Sequence, residues 1–153
     1  MFPDDPVTSD ELRASRVSYF RSLIGETAVP LGATFTSSDG GGVVVLEVNP
    51  PNAGALPIRL AFDYLIHLDA GHLGGSWDGD YSEEMVEDLA DIVGAIVADR
   101  VSEVFAPWRS RVEVVLNDGE VVAETGYGGM AAILPMPYWP RWGRRVQYSP
   151  YGT

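Results

Sequence analysis

The chain has 153 residues with 46% hydrophobic content, enough for one domain with a sizeable core and too apolar for a disordered chain. It contains no cysteine, which excludes disulfides, thiolate metal sites and thiol nucleophiles. Ten arginines and no lysine face 22 acids, a net charge of −12 that disfavours nucleic acid and anionic membranes as partners and favours cationic ones.

At the start, no basic segment is followed by an apolar run, so no signal peptide is expected, and no stretch has the length of a membrane span. A cytoplasmic location is the expectation. Thr8 to Glu11 reads TSDE, a capping box in which hydroxyl and carboxylate each satisfy a free backbone amide. Leu12, Val17, Phe20, Leu23 and Ile24 then recur at helical spacing, and Gly25 marks a stop. Strands are predicted near 29–37, 43–49 and 57–68, the first two joined by the hairpin-type connection SDGGG. VVVLEV is apolar on both faces and reads as a central strand covered on both sides. In the third strand Ile58, Leu60, Phe62, Tyr64, Ile66 and Leu68 share one face, and Arg59, Ala61, Asp63, Leu65 and His67 the other.

From Ser82 to about Phe105 one apolar stripe predicts a long helix, spanning about 36 Å at the usual rise per residue. Glu84, Asp88, Asp91, Asp99 and Glu103 lie off that stripe, Ser82 is placed to cap it, and Pro107 ends it. RVEVVL and EVVAET around NDG read as a hairpin. The order α-β-β-β-α-β-β predicts a single α+β domain over 1–134, a mainly antiparallel sheet with two helices packed on it. Residues 135–153 form a tail rich in proline, aromatics and arginine, expected as an extended C-terminal arm. The element order resembles that of acidic secretion-chaperone-like and immunity-protein folds, an analogy of fold alone.

The segment HLDAGHLGGSWDGDYSEE, residues 67–84, looks most like a site. His67 and His72 lack the spacing and glutamate of a helical zinc motif. Alternating Asp78, Asp80, Ser82 and Glu84 fail the calcium-loop pattern, which needs glycine at position 83 and glutamate at position 89. GGSWD has Asp78 where a nucleophile elbow needs its last glycine. GYGGMA, from Gly126, matches a dinucleotide fingerprint, yet Pro135, Pro137 and Pro140 prevent the helix that would hold the pyrophosphate. No catalytic residue, metal or cofactor is therefore expected. Asp63, His67 and Asp69, converging with Arg59, and His72 remain the basis for an alternative, a small metal-dependent or acid–base enzyme.

The favoured reading is a non-catalytic module that docks a basic protein partner, as immunity proteins and secretion chaperones do. Its expected surface is the acidic run Glu83, Glu84, Glu87, Asp88 and Asp91, extended by Asp78 and Asp80 and anchored by Trp77 and Tyr81. In the tail, Tyr138, Trp139, Arg141, Trp142, Arg144 and Arg145 are the expected contacts of the arm, with its own domain or with a neighbouring subunit. A further alternative is a structural subunit of a phage neck or tail-type assembly, in the virion, with the arm bridging copies of a homo-oligomer.

Overall fold

In a computed structural model, residues 9–129 and 135–152 are described. They form an α+β fold of two antiparallel sheets and three helices. Helix α1 spans Ser9–Thr27 and runs through Gly25, past the expected stop. Thr8 of the capping box lies outside the described residues, as do the five residues after Gly129. Sheet one has the order β1 (Thr34–Gly40), β2 (Val43–Asn49), β3 (Ile58–Phe62), β4 (Ile66–Asp69) and β5 (Ser76–Gly79). Helix α2 covers Glu83–Val97. Sheet two has the order β8 (Val121–Tyr127), β7 (Arg109–Val115), β6 (Val101–Ala106), β9 (Arg144–Gln147), with a one-turn helix α3 at Trp139–Trp142.

Several expected elements are corrected. Residues 29–31 are a 3₁₀ turn rather than strand, because Pro30 supplies no ladder amide and Gly32 ends the turn with φ of 101°. The strand expected over 57–68 is a hairpin. Asp63 Oδ1 accepts from the Leu65 amide at 3.0 Å, folding residues 63–65 into a turn that leaves Tyr64 95% exposed. β2 is covered on one side only: Leu46 and Val48 are buried, whereas Glu47 is exposed.

The long helix expected over 82–105 is two elements. Its stop is a Schellman motif: the Asp99 amide donates to Ile96 O at 3.3 Å and the Arg100 amide to Ala95 O at 2.9 Å. Asp99 takes the left-handed position, φ 75°, that glycine ordinarily fills. Val101 then opens β6, so Pro107 ends a strand rather than a helix. Glu103, expected on an exposed helix face, is fully buried in β6.

The core lies between the inner face of sheet one and the two long helices, and continues onto β6 and β7. Phe20 of α1 meets Phe62 of β3 at 5.8 Å between ring centres. Eight of the fifteen residues of α2 are buried, which is why its hydrophobic stripe was so plain. Of the tail, β9 pairs with β6, and Tyr151 is fully buried with its hydroxyl donating to Leu56 O at 2.6 Å. Among the described residues, no helix is long and apolar enough to cross a membrane.

Candidate functional site

The segment 67–84 is a hairpin followed by a helix cap. β4 and β5 pair in register, His67 opposite Asp78 and Leu68 opposite Trp77, and Ser82 accepts from the Met85 amide to start α2. The glycines in the 70–75 loop between these strands serve packing. Buried Ser110 of β7 accepts from the amides of Leu73 and Gly74 at 3.0 and 2.7 Å, pulling the loop onto sheet two. A Cβ on Gly74 would stand 2.5 Å from Ser110 O and 2.6 Å from Glu124 O. Gly126 of the apparent dinucleotide fingerprint has the same task, since a Cβ there would fall 1.8 Å from Leu73 O. These glycines let two backbones meet.

The polar residues around His67 form two clusters on the outer face of sheet one. His67 stands between Asp78, at 2.5 Å from Nδ1, and Asp63, at 2.8 Å from Nε2. Its pKa is raised above 6.5, first by the hydrogen bond to Asp78 and then by Asp63, against partial burial. Asp63 is held below the usual carboxylate value, chiefly by the Leu65 amide. Arg59, by contrast, bridges Glu47 at 3.7 Å and Asp69 at 3.6 Å, and Ser76 donates to Asp69 at 2.6 Å. His72 belongs to neither cluster: it lies in the 70–75 loop with its ring 6.1 Å from that of Phe105. Of the four residues behind the enzyme alternative, Asp63 and His67 are hydrogen-bonded, Asp69 pairs with Arg59, and His72 lies in the 70–75 loop. Both ring nitrogens of His67 face carboxylates. Among the described residues, no three histidine, aspartate or glutamate side chains are grouped to hold a metal ion.

The acidic run is brought together. Glu83, Glu84, Glu87, Asp88 and Asp91 are all exposed on α2, and among the described residues none is in an ion pair. Beside this ridge, between α2, β5 and the turn joining β7 to β8, lies a groove of about 230 Å³. Met85, Leu89, Ile92, Leu116, Val122 and Trp77 form its apolar wall, and Asp78, Asp88 and Glu120 its rim. Trp77 and Tyr81 are placed differently from projecting anchors, because both are partly buried against the core. The Trp77 indole N–H is buried without an acceptor among the described residues. The Tyr81 hydroxyl donates to Asp63 O at 2.7 Å, tying the helix start to the β3–β4 turn. Asp80 accepts from the Ser82 amide at 2.9 Å and shapes the same turn.

In the tail, Trp139 is buried, whereas Tyr138 and Trp142 are 71% and 54% exposed. Arg141 lies over the Tyr138 ring and Arg144 over Phe105, at 5.3 and 5.0 Å. Arg145 bonds Glu113 at 2.7 Å and Ser102 Oγ at 2.9 Å within the domain.

One polar centre had no signal in the sequence. The buried carboxyl of Glu103 accepts from the His72 amide at 2.8 Å and from the Tyr148 hydroxyl at 2.6 Å. Burial, followed by this hydrogen bond, pushes the Tyr148 phenol well above its ordinary pKa. Only pairing of 101–106 as a strand makes Glu103 an interior residue, and the helical reading concealed that. The chain matches no protein-family model, no curated protein and no solved structure, so the function of this arrangement is argued from its residues alone.

Proposed function

We propose that this chain is a non-catalytic binding module that docks a basic protein segment along the acidic face of α2, in the manner of an immunity protein or a secretion chaperone. One observation carries the reading: the exposed ridge Glu84, Glu87, Asp88 and Asp91 has no paired cation among the described residues and borders an apolar groove rimmed by acids. Glu84 and Asp88, like Glu87 and Asp91, are like charges at i, i+4, each pair costing a few tenths of a kcal/mol. A cationic partner reverses that cost. An arginine or lysine of the partner can lay its aliphatic stem on Met85, Leu89 and Ile92 and leave its charge at Asp88 and Glu120. Two alternatives draw less support. A phage-type subunit with a bridging arm needs tail residues that here hold their own domain, Trp139, Arg145 and Tyr151 among them. An enzyme would build on His67, held between Asp63 and Asp78, with His72 apart in the 70–75 loop.

The test is association kinetics, at two salt concentrations, with an amphipathic peptide of alternating arginine and leucine and with an arginine–serine control of equal charge. The apolar peptide is expected to dissociate more slowly, and both are expected to associate more slowly in high salt. Glu84→Lys with Asp88→Lys should lower the on-rate about tenfold and flatten its salt dependence, with no change in melting temperature. Equal rates for variant and wild type, or equal off-rates for the two peptides, would remove this face as the docking site.

A further inference from the structure

An open sheet edge is a template for another strand, and most proteins blunt theirs with charge, brevity or cover. Among the described residues there are four edges, β1 and β5 in sheet one and β8 and β9 in sheet two. β9 is four residues long and two of them are arginines. β5 is also four residues long and lies beside β8, whose Glu124 carbonyl already accepts from the Gly75 amide. β1 has no such protection. Its seven residues, TFTSSDG, pair one for one with β2 without a bulge, contain no proline, lysine or arginine, and carry one charge, Asp39. All are exposed except half-buried Phe35, and among the described residues the outer backbone edge of β1 has no hydrogen-bond partner.

We propose that β1 pairs antiparallel with β1 of a second copy of this chain, about a two-fold axis through Ser37, so that two five-stranded sheets become one. The strand is self-complementary in that register. Thr36 faces Ser38 of the other copy and Ser37 faces its equivalent, hydroxyl pairs that favour cross-strand contact. Asp39 faces Phe35, so the two aspartates do not meet. Copies with a net charge of −12 repel one another over much of their surface, and β1 itself contributes a single charge per copy. Arg21 donates to Ser37 Oγ at 2.6 Å, so two arginines and two aspartates surround the axis and their charges cancel. A recess of about 250 Å³ lies between α1 and the strand, lined by Ala14, Ser18, Arg21 and Asp39 among others. The inference does not depend on the acidic face of α2.

A dilution series followed by sedimentation or light scattering tests it. Wild type is expected to move from dimer to monomer mass on dilution, with a dissociation constant on the order of micromolar for so small an interface. Two double variants at exposed positions probe the register. Thr36→Lys with Ser38→Lys sets lysine against lysine across the axis and should weaken the dimer tenfold or more. Thr36→Lys with Ser38→Glu sets lysine against glutamate and should restore it. The melting temperature of each variant at monomer concentration should match wild type, which separates lost pairing from lost folding. A wild type of monomer mass at every concentration overturns the proposal, as does a dimer indifferent to the two lysines. Equal disruption by both variants overturns the Ser37 register.

Discussion

His67 is the residue whose surroundings set a pH dependence. Its raised pKa means that its pairing stabilises the fold fully below the unfolded value of about 6.5 and ceases to do so as pH rises through the folded value. Asp63 has the opposite window: its contribution stands above about 3.8 and is lost as pH falls through its lowered value. Because the Asp78 hydrogen bond is the largest influence on His67, Asp78→Asn should lower the His67 midpoint seen by NMR more than Asp63→Asn does. The stability gap between wild type and Asp78→Asn should be widest in mild acid and should narrow at alkaline pH. A His67 midpoint at or below 6.5 in the wild type would show that the three side chains do not meet in solution. In the sequence His67 was visible as a candidate beside Asp63, but Asp78 was assigned to a partner surface. Nothing in the order of residues shows that a strand at 76–79 returns beside it.

At the scale of elements, the sequence misled where two periodicities ran on in phase. Phe62 and Ile66 face each other across the β3–β4 turn and are both buried, so alternation continued unbroken through a reversal of the chain. Val97, Val101 and Val104 kept helical spacing across the junction of α2 and β6, and no glycine marked it. The stop is Asp99, a residue that tolerates the left-handed region at a cost. Asp99→Gly should therefore raise stability by roughly 0.5–1 kcal/mol in urea denaturation, and Asp99→Val should lower it. A loss with glycine would mean that the aspartate side chain, 3.5 Å from the Gln147 amide nitrogen, supports the helix end more than its backbone strain harms it. Where propensity and burial agreed, as in the β7–β8 hairpin, the element was legible down to its turn.

For the whole molecule, the order of predicted elements identified an α+β fold and the run of acids an acidic helix face, because both are written in residues close together in the chain. The division into two sheets was not legible, since it depends on β9 reaching β6 across some forty positions and on the 70–75 loop crossing to β7. The tail shows the same limit. Its aromatics suggested contact, and only the structure shows that Trp139 and Tyr151 are buried while Tyr138 and Trp142 face out.

The carboxyl of Glu103 joins three parts of the chain at one point: the 70–75 loop through His72, the strand β6, and the segment after β9 through Tyr148. None of the three can leave without stranding a buried acceptor, so local opening there is coupled to opening of the whole. The His72 amide thus sits in an exposed loop and should nonetheless exchange its hydrogen for deuterium as slowly as the core strands do. Glu103→Gln should keep the acceptor to one donor and lose the other, bringing His72 exchange forward of global unfolding. Rapid exchange at His72 in the wild type would mean that the two sheets breathe independently, and that this molecule is two cooperative units rather than one.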